Sequence, residues 1–204
     1  MALTAVVCDL GGVVLRIDVD RIRASWARRS RLPVSEVMAA YPDEVHDALE
    51  RDEVSEQHYL EHVRQQLALD GSDEELADDF NQLFLGVEDE VLGLLEQARA
   101  RGLTVVALSN TNRIHHRVWS RRFAAELAVF DAIHCSHELR ARKPEPAAYL
   151  QVLEAHGLEA HQACFIDDVP AYVGVAQDLG LHGLRYTDPA SLARQLSEAG
   201  VLGP

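Results

Sequence analysis

Five short apolar runs, at residues 3–8, 103–109, 132–135, 163–166 and 181–186, constrain this chain most, because they are continuous rather than alternating. A strand with one wet face alternates apolar and polar residues, whereas a strand that is apolar throughout is covered on both faces. Such strands belong in a parallel sheet between two helical layers, and helical patterns do separate these runs. Val91, Leu94, Leu95 and Ala98 recur at helical spacing, with Gly102 as a stop just before the next run. Further helices are expected over residues 145–156, 172–179 and 189–199. This alternation is that of a doubly wound, Rossmann-like α/β core with a parallel sheet.

One interval interrupts it. Residues 16–87 show no strand pattern, only helical stripes: Val19, Ile22 and Trp26; Tyr59, Val63 and Leu67; then Leu76, Phe80, Leu83, Phe84 and Val87. Ser72 and Glu75 have the spacing of a capping box that opens the last helix. The expectation is an α/β core of residues 1–15 and 88–204, with a small all-α cap, residues 16–87, inserted after the first strand. Ligands of these folds bind beyond the carboxyl ends of the strands, so the insertion lies where a lid belongs.

Acidic residues outnumber basic ones 33 to 19, a formal charge of −14, and the arginines are scattered. Nucleic acid and anionic membranes are therefore poor partners. An anionic ligand has to be held by local positive charge, from a metal ion or a few placed groups. The three cysteines, Cys8, Cys135 and Cys164, lie in or beside the apolar runs, as buried reduced thiols do. The first residues lack a basic segment, and no apolar stretch approaches the ~20 residues of a membrane span, so a cytoplasmic protein is expected. A monomer or homodimer fits the length.

Four of the runs lead into polar residues. The first ends at Asp9, followed by Gly11 and Gly12; the second ends in Ser109, Asn110, Thr111 and Asn112. After the third comes Lys143, just before Pro144, which is expected to open a helix; the fourth ends in Asp167 and Asp168. A carboxylate, a hydroxyl, an ammonium and an acidic pair around one crevice match phosphoryl transfer to an enzyme carboxylate. Asp9 is the candidate nucleophile. Mg²⁺ is the candidate cofactor, held by Asp9, Asp168 and a backbone carbonyl at Gly11, with Asp167 beside them. Ser109 and Lys143 hold the transferring oxygens.

In this order, with a helical insertion between the first and second, the four motifs resemble those of the haloacid dehalogenase superfamily. Asp9 matches its nucleophile, Ser109 its hydroxyl, Lys143 its lysine, and Asp167 with Asp168 its acidic pair. The strings DLGGV, SNTNR and RKPE, with Glu50-Arg51 and Val54-Ser55, look most like the bacterial glucose-1-phosphatase-type sugar phosphatases. The amino-terminal lobe of soluble epoxide hydrolases is also similar. The resemblance implies Mg²⁺ and a small phosphorylated metabolite as substrate. The alternatives are a metal-independent 2-haloacid dehalogenase and a catalytically weak phosphate-ester binder.

Two positions depart from the pattern. Most phosphatases of the superfamily carry a second Asp two residues after the nucleophile, as general acid and base; here that position is Gly11. Losing such a group costs about 10² to 10⁴ in rate. An anomeric phosphate, a better leaving group than an alkyl one, needs that acid less. Tyr172 stands where many relatives have Asn or Asp.

Asn110, Thr111 and Arg113 are candidate substrate contacts, Arg113 by its match to an Arg of the sugar phosphatases; His115 and His116 follow closely. Ser109 also suits a helix N-cap. In the insertion, His46, Asp47, Glu50 and Arg51 are left unassigned, since each singly suits a solvated face. His58-Tyr59-Leu60-Glu61-His62 has the form of a zinc-peptidase string, but a helix face explains it more simply.

Overall fold

A computed structural model describes residues 2–40 and 44–203. The elements run β1 (Ala5–Cys8), β2 (Leu15–Ile17), α1 (Asp20–Arg29), α2 (Val34–Ala40), α3 (Glu44–Glu50), α4 (Glu56–Gln66), α5 (Asp73–Phe80) and β3 (Phe84–Val87). They continue as α6 (Asp89–Ala100), β4 (Thr104–Ser109), α7 (Arg113–Arg122), β5 (Ala132–Cys135), α8 (Ser136–Leu139) and α9 (Pro146–Ala155). Last come β6 (Ala163–Asp167), α10 (Pro170–Asp178), β7 (His182–Arg185) and α11 (Pro189–Glu198).

Five strands form a parallel sheet in the order β5-β4-β1-β6-β7. Because successive side chains point to opposite faces, continuous apolar strands supply two cores. Val6, Cys8, Val105, Ala107, Cys164 and Ile166 join one with Val91, Leu95 and Ala98 of α6 and Leu192 and Leu196 of α11. Ala5, Val7, Val106, Leu108 and Phe165 join the other with Tyr149, Val152 and Leu153 of α9. The parallel sheet covered on both sides is as the runs predict. All three cysteines are buried free thiols, and no helix among the described residues is long and apolar enough to cross a membrane.

Helices α1 to α5 fill the interval between β2 and β3. Trp26, Tyr59 and Phe80 are fully buried at its centre, Phe80 stacked on Trp26 with ring centroids 5.5 Å apart. Ser55 caps α4 by accepting from the His58 N–H, and the Ser72–Glu75 capping box forms in full.

Three local expectations are corrected. Residues 16–87 are not wholly helical: β2 and β3 pair as an antiparallel ribbon at the root of the insertion, Leu15 opposite Val87 and Ile17 opposite Phe84. Phe84 and Val87 sit three apart and mimic a helical stripe, but α5 stops at Phe80, and a 3-10 turn over Asn81–Leu83 turns the chain into β3. Pro146, not Pro144, opens the helix after Lys143. Asn112, not Ser109, is the N-cap of α7, accepting from the His115 N–H at 3.0 Å.

Candidate active site

The site grows from the carboxyl edge of the sheet. The Asp9 N–H donates to the Ile166 carbonyl at 2.9 Å, carrying the β1–β6 ladder one step further and setting Asp9 beside Asp167. Lys143 arrives from the segment between α8 and α9, and Asn110 anchors its backbone. The Asn110 Nδ2 donates to the Lys143 carbonyl at 2.9 Å, and the Lys143 N–H donates to Asn110 Oδ1 at 2.8 Å. The ammonium is then aimed inward, where Nζ lies 2.7 Å from both Asp9 Oδ1 and Asp167 Oδ2. It also faces the rings of Tyr172 and Phe165 at 5.4 and 5.7 Å. Tyr172 thus packs its ring on the lysine, while its carbonyl accepts from the Tyr149 hydroxyl.

Charge balance decides the protonation states. Three carboxylates, Asp9, Asp167 and Asp168, have ligand oxygens within 4.8 Å of one another, and one ammonium faces them. Burial pushes the Asp9 carboxyl up to about 7, against the pull of Lys143. Burial also raises Asp168, helped by the charge of Asp167. For Lys143, burial opposes the charge, but Asp9 and Asp167 outweigh it and raise its pKa to about 12. The lysine therefore stays charged, and the cluster is two positive charges short when fully ionised.

Those oxygens suit a hard divalent cation, and the backbone leaves room beside them. Gly12 has φ +87°, and a Cβ there would fall 2.7 Å from Asp168 Oδ2. The cradle is closed to any side chain. Within it the Asp167 oxygens are both engaged, Oδ2 by Lys143 and Oδ1 by the Val169 N–H. Asp9 Oδ1 accepts from the Leu10 N–H as well as facing Lys143. Asp9 Oδ2 is the oxygen left to react.

A cavity of about 150 Å³ adjoins this cluster between core and insertion. Leu10, Leu15, Ile17, Leu83 and Phe84 form its apolar side, and Ser109, Asn110, His46, Glu50 and His115 its polar side. His115 is held in one tautomer. Asn81 Nδ2 donates to the Ala77 carbonyl, so its Oδ1 accepts from His115 Nδ1–H at 3.0 Å and leaves Nε2 as an acceptor. Burial and then nearby His46 push the His115 pKa down to about 3. His46 lies 3.4 Å from both Tyr59 OH and Glu50, and Arg142 donates to Glu50 at 2.9 Å. Burial opposes the Glu50 charge, yet His46 and Arg142 outweigh it and hold its pKa low.

Of the predicted residues, the structure brings together Asp9, Lys143, Asp167 and Asp168, with Ser109 and Gly11 lining the adjoining cavity. Of the candidate substrate contacts, Asn110 and Thr111 line the cavity with side chains already hydrogen-bonded, and Arg113 stands outside it. The side chain of Asn110 is spent on the Lys143 backbone. Thr111 lends its N–H to Ser136 Oγ and its hydroxyl to Trp119 Nε1. Arg113 forms a two-pronged ion pair with Asp52 of the insertion, at 2.7 and 2.8 Å, outside the cavity. His46, Glu50 and His115 line it unassigned; the i, i+4 spacing of His46 and Glu50 on one face of α3 was the available signal. His58 and His62 belong to neither of the groups able to hold a metal among the described residues.

Fold and site together define a doubly wound α/β protein with an acid–lysine cluster at its carboxyl edge and a helical insertion above it. The chain belongs to the haloacid dehalogenase-like hydrolases, whose family pattern matches residues 3–180. Phosphatase MT3486 of Mycobacterium tuberculosis is 29% identical over 189 residues, covering 89% of this chain and 86% of that one. A sesquiterpene phosphatase of Aspergillus oryzae, astK, is 25% identical and covers 95% of each chain. Among solved structures, an enzyme of the family from Bacteroides thetaiotaomicron, bt-2542, in complex with magnesium and inorganic phosphate, superposes with TM-score 0.80 at 23% identity, over 91% of this chain and 95% of that one. The L-2-haloacid dehalogenase of Xanthobacter autotrophicus superposes at 0.65 with 21% identity, over 99% of this chain and 85% of that one. These two likenesses are of fold.

Proposed function

We propose that this hydrolase is a Mg²⁺-dependent phosphomonoesterase of a small sugar phosphate, working through an aspartyl phosphate on Asp9. The carrying observation is the buried Asp9–Lys143–Asp167 contact beside Asp168 and the Gly12 cradle. Asp9, Asp168 and the Gly11 carbonyl would hold Mg²⁺, with Asp167 serving chiefly to fix Lys143. The ion would supply charge compensation between the anionic ester and the carboxylates. Phosphatases among the relatives and a magnesium–phosphate complex of a structural neighbour support this over the dehalogenase alternative.

Asp9 Oδ2 attacks phosphorus, the P–O bond to the leaving alcohol breaks, and the alkoxide takes a proton from solvent, since Gly11 offers none. Water then attacks phosphorus of the aspartyl phosphate, the P–O bond to Asp9 breaks, inorganic phosphate leaves carrying the water's oxygen, the carboxylate is regenerated and the water's proton passes to solvent. Lys143, held charged, faces the non-bridging oxygens, and Ser109 donates to them. The insertion, residues 16–87, acts as a cap that keeps bulk water from the intermediate.

Cavity size bounds the leaving group. About 150 Å³ is the scale of a void that takes one benzene ring. A single sugar ring fits, with hydroxyls toward His115 Nε2 and Glu50 and its apolar face toward Leu15 and Ile17. The experiment is phosphate release from a panel of phosphomonoesters, with Mg²⁺ and with EDTA, for wild type and Asp9→Asn. Release that needs both Mg²⁺ and Asp9, fastest on anomeric monosaccharide phosphates, is expected. Release that survives EDTA would remove Mg²⁺ from the reaction, no release from any ester would return the protein to the dehalogenase alternative, and faster turnover of simple alkyl esters would remove the sugar.

A further inference from the structure

We propose that His116, Cys135 and His137 form a second metal site, for Zn²⁺, two strands away from the nearest residue of the carboxylate cluster. Their ligand atoms lie within 4.8 Å of one another, and they come from three elements: α7, the last residue of β5, and the first turn of α8. No residue is shared with Asp9, Asp167 and Asp168, so the site stands apart from the proposed phosphatase chemistry and does not depend on it.

Donor chemistry selects the ion. Thiolate and imidazole suit zinc, whereas oxygen-rich sets suit magnesium. Around tetrahedral zinc, bonds of about 2.0 to 2.3 Å place ligand atoms roughly 3.3 to 3.6 Å apart. Closing from 4.8 Å needs about an ångström of movement, and His116, with a third of its side chain exposed, has the freedom to supply it. Its ring lies near that of His137, centroids 5.2 Å apart and planes tilted by 56°, and rests on Trp119. Glu138 lies beside them, outside the group of three, with its Oε1 3.9 Å from His116 Nδ1.

A second observation points to a missing ligand. His137 is buried, and its Nδ1 has no hydrogen-bond partner. An unpaired buried polar atom is costly, and metal coordination would satisfy this one. An entry path exists, since His116, His137 and Glu138 line an open surface depression. Arg113, Arg117 and Arg121 line it too, the first two neutralised by carboxylates of the insertion, Asp52 and Glu56.

The ion would pin α7 to the start of α8. Ser136, next to Cys135, accepts from the Thr111 N–H and donates to the Thr111 carbonyl. Zinc would therefore brace the turn that carries Ser109 and Asn110.

Cobalt(II) tests this on the full chain saturated with Mg²⁺, because a cysteine thiolate bound to cobalt gives a near-ultraviolet charge-transfer band that oxygen ligands do not. One equivalent of Co²⁺ is expected to give that band, and Zn²⁺ to abolish it. Asp168→Asn should keep the band and Cys135→Ser should lose it. His116→Gln, at a position one-third exposed, should weaken binding by about tenfold or more and keeps the test alive if Cys135→Ser does not fold. Zn²⁺ should raise Tm for the wild type and not for His116→Gln. No band in the wild type, an undiminished band in Cys135→Ser, or equal binding by His116→Gln would overturn the site.

Discussion

The Lys143 ammonium meets the Asp9 carboxylate at 2.7 Å with 1% of the lysine side chain exposed. Replacing it with methionine keeps the stem but leaves Asp9 and Asp167 facing each other without a cation. Breaking a buried pair this way costs about 3 to 5 kcal/mol, so Lys143→Met should lower the urea midpoint accordingly and remove turnover. The wild-type pair has its own pH signature. A lysine raised to about 12 contributes stability in full below its ordinary value near 10.5, and the contribution is lost as pH rises through 12. An alkaline unfolding series on both proteins should show that loss in the wild type alone.

Asp9 predicts how the metal binds. With its carboxyl raised to about 7, the metal-free protein keeps the proton there at pH values where an unfolded Asp has lost it. The metal-free fold therefore loses stability as pH rises from about 4 to 7, by up to roughly 1.4 kcal/mol per unit. Mg²⁺ requires the ionised form, so its affinity should fall as pH drops below about 7. Calorimetry in two buffers of different ionisation enthalpy should find close to one proton released per Mg²⁺ at pH 6 and far less at pH 8.

His115 acts at the other end of the scale. Its folded pKa, near 3, lies below its unfolded value of about 6.5. The unfolded chain takes a proton that the folded one refuses, so stability is complete above about 6.5 and is lost as pH falls toward 3. His115→Gln, which can still donate to Asn81, should flatten this acid slope in denaturant melts between pH 6 and 4. An unchanged slope would place the loss elsewhere.

The core was legible because a sheet buried on both faces leaves continuous apolar runs, such as residues 3–8 and 163–166. The polar residues at strand ends were legible for the same reason: Asp9 and Asp167 end runs in which nothing else is charged. The β2–β3 ribbon was not. Three- and four-residue strands are too short for period-two alternation to show, and Phe84 and Val87 also satisfy a helical spacing. The polar side of the cavity was hidden for a different reason. His46 and Glu50 look like a solvated helix face until the insertion folds over Arg142, and Arg113 looks like a substrate ligand until Asp52 is seen to hold it. Long-range partners, in both cases, decide what a charged side chain does.

That contrast gives opposite expectations for two changes. The Arg113–Asp52 pair is largely exposed on the arginine side, and such pairs are worth about 0 to 1 kcal/mol. Arg113→Ala should shift stability by no more than that and leave KM within about twofold. Glu50 is buried against His46 and Arg142. Glu50→Ala should cost about 3 kcal/mol or more by leaving buried charge unpaired, and should raise KM by altering the polar side of the cavity. A tenfold rise in KM for Arg113→Ala would restore it as a substrate ligand.

Gly11 is the position where chemistry can be added back. Its backbone lies outside the positive-φ region that favours glycine, unlike that of Gly12, so a side chain is conformationally permitted. Among the described residues only Ile17 opposes it, with Cδ1 3.3 Å from where the new Cβ would stand. That contact is tighter than ordinary van der Waals separation, and shortening the neighbour removes it. Gly11→Asp combined with Ile17→Val should therefore place a carboxyl at the edge of the cavity beside Asp9 without strain. A positioned acid is worth about 10² to 10⁴ in rate, and the gain belongs to esters whose alcohol leaves poorly. Turnover of alkyl phosphates should rise by about tenfold or more in the double variant, with anomeric phosphates little changed. Equal gains on both classes, or none on either, would mean that proton transfer to the leaving group does not limit this enzyme.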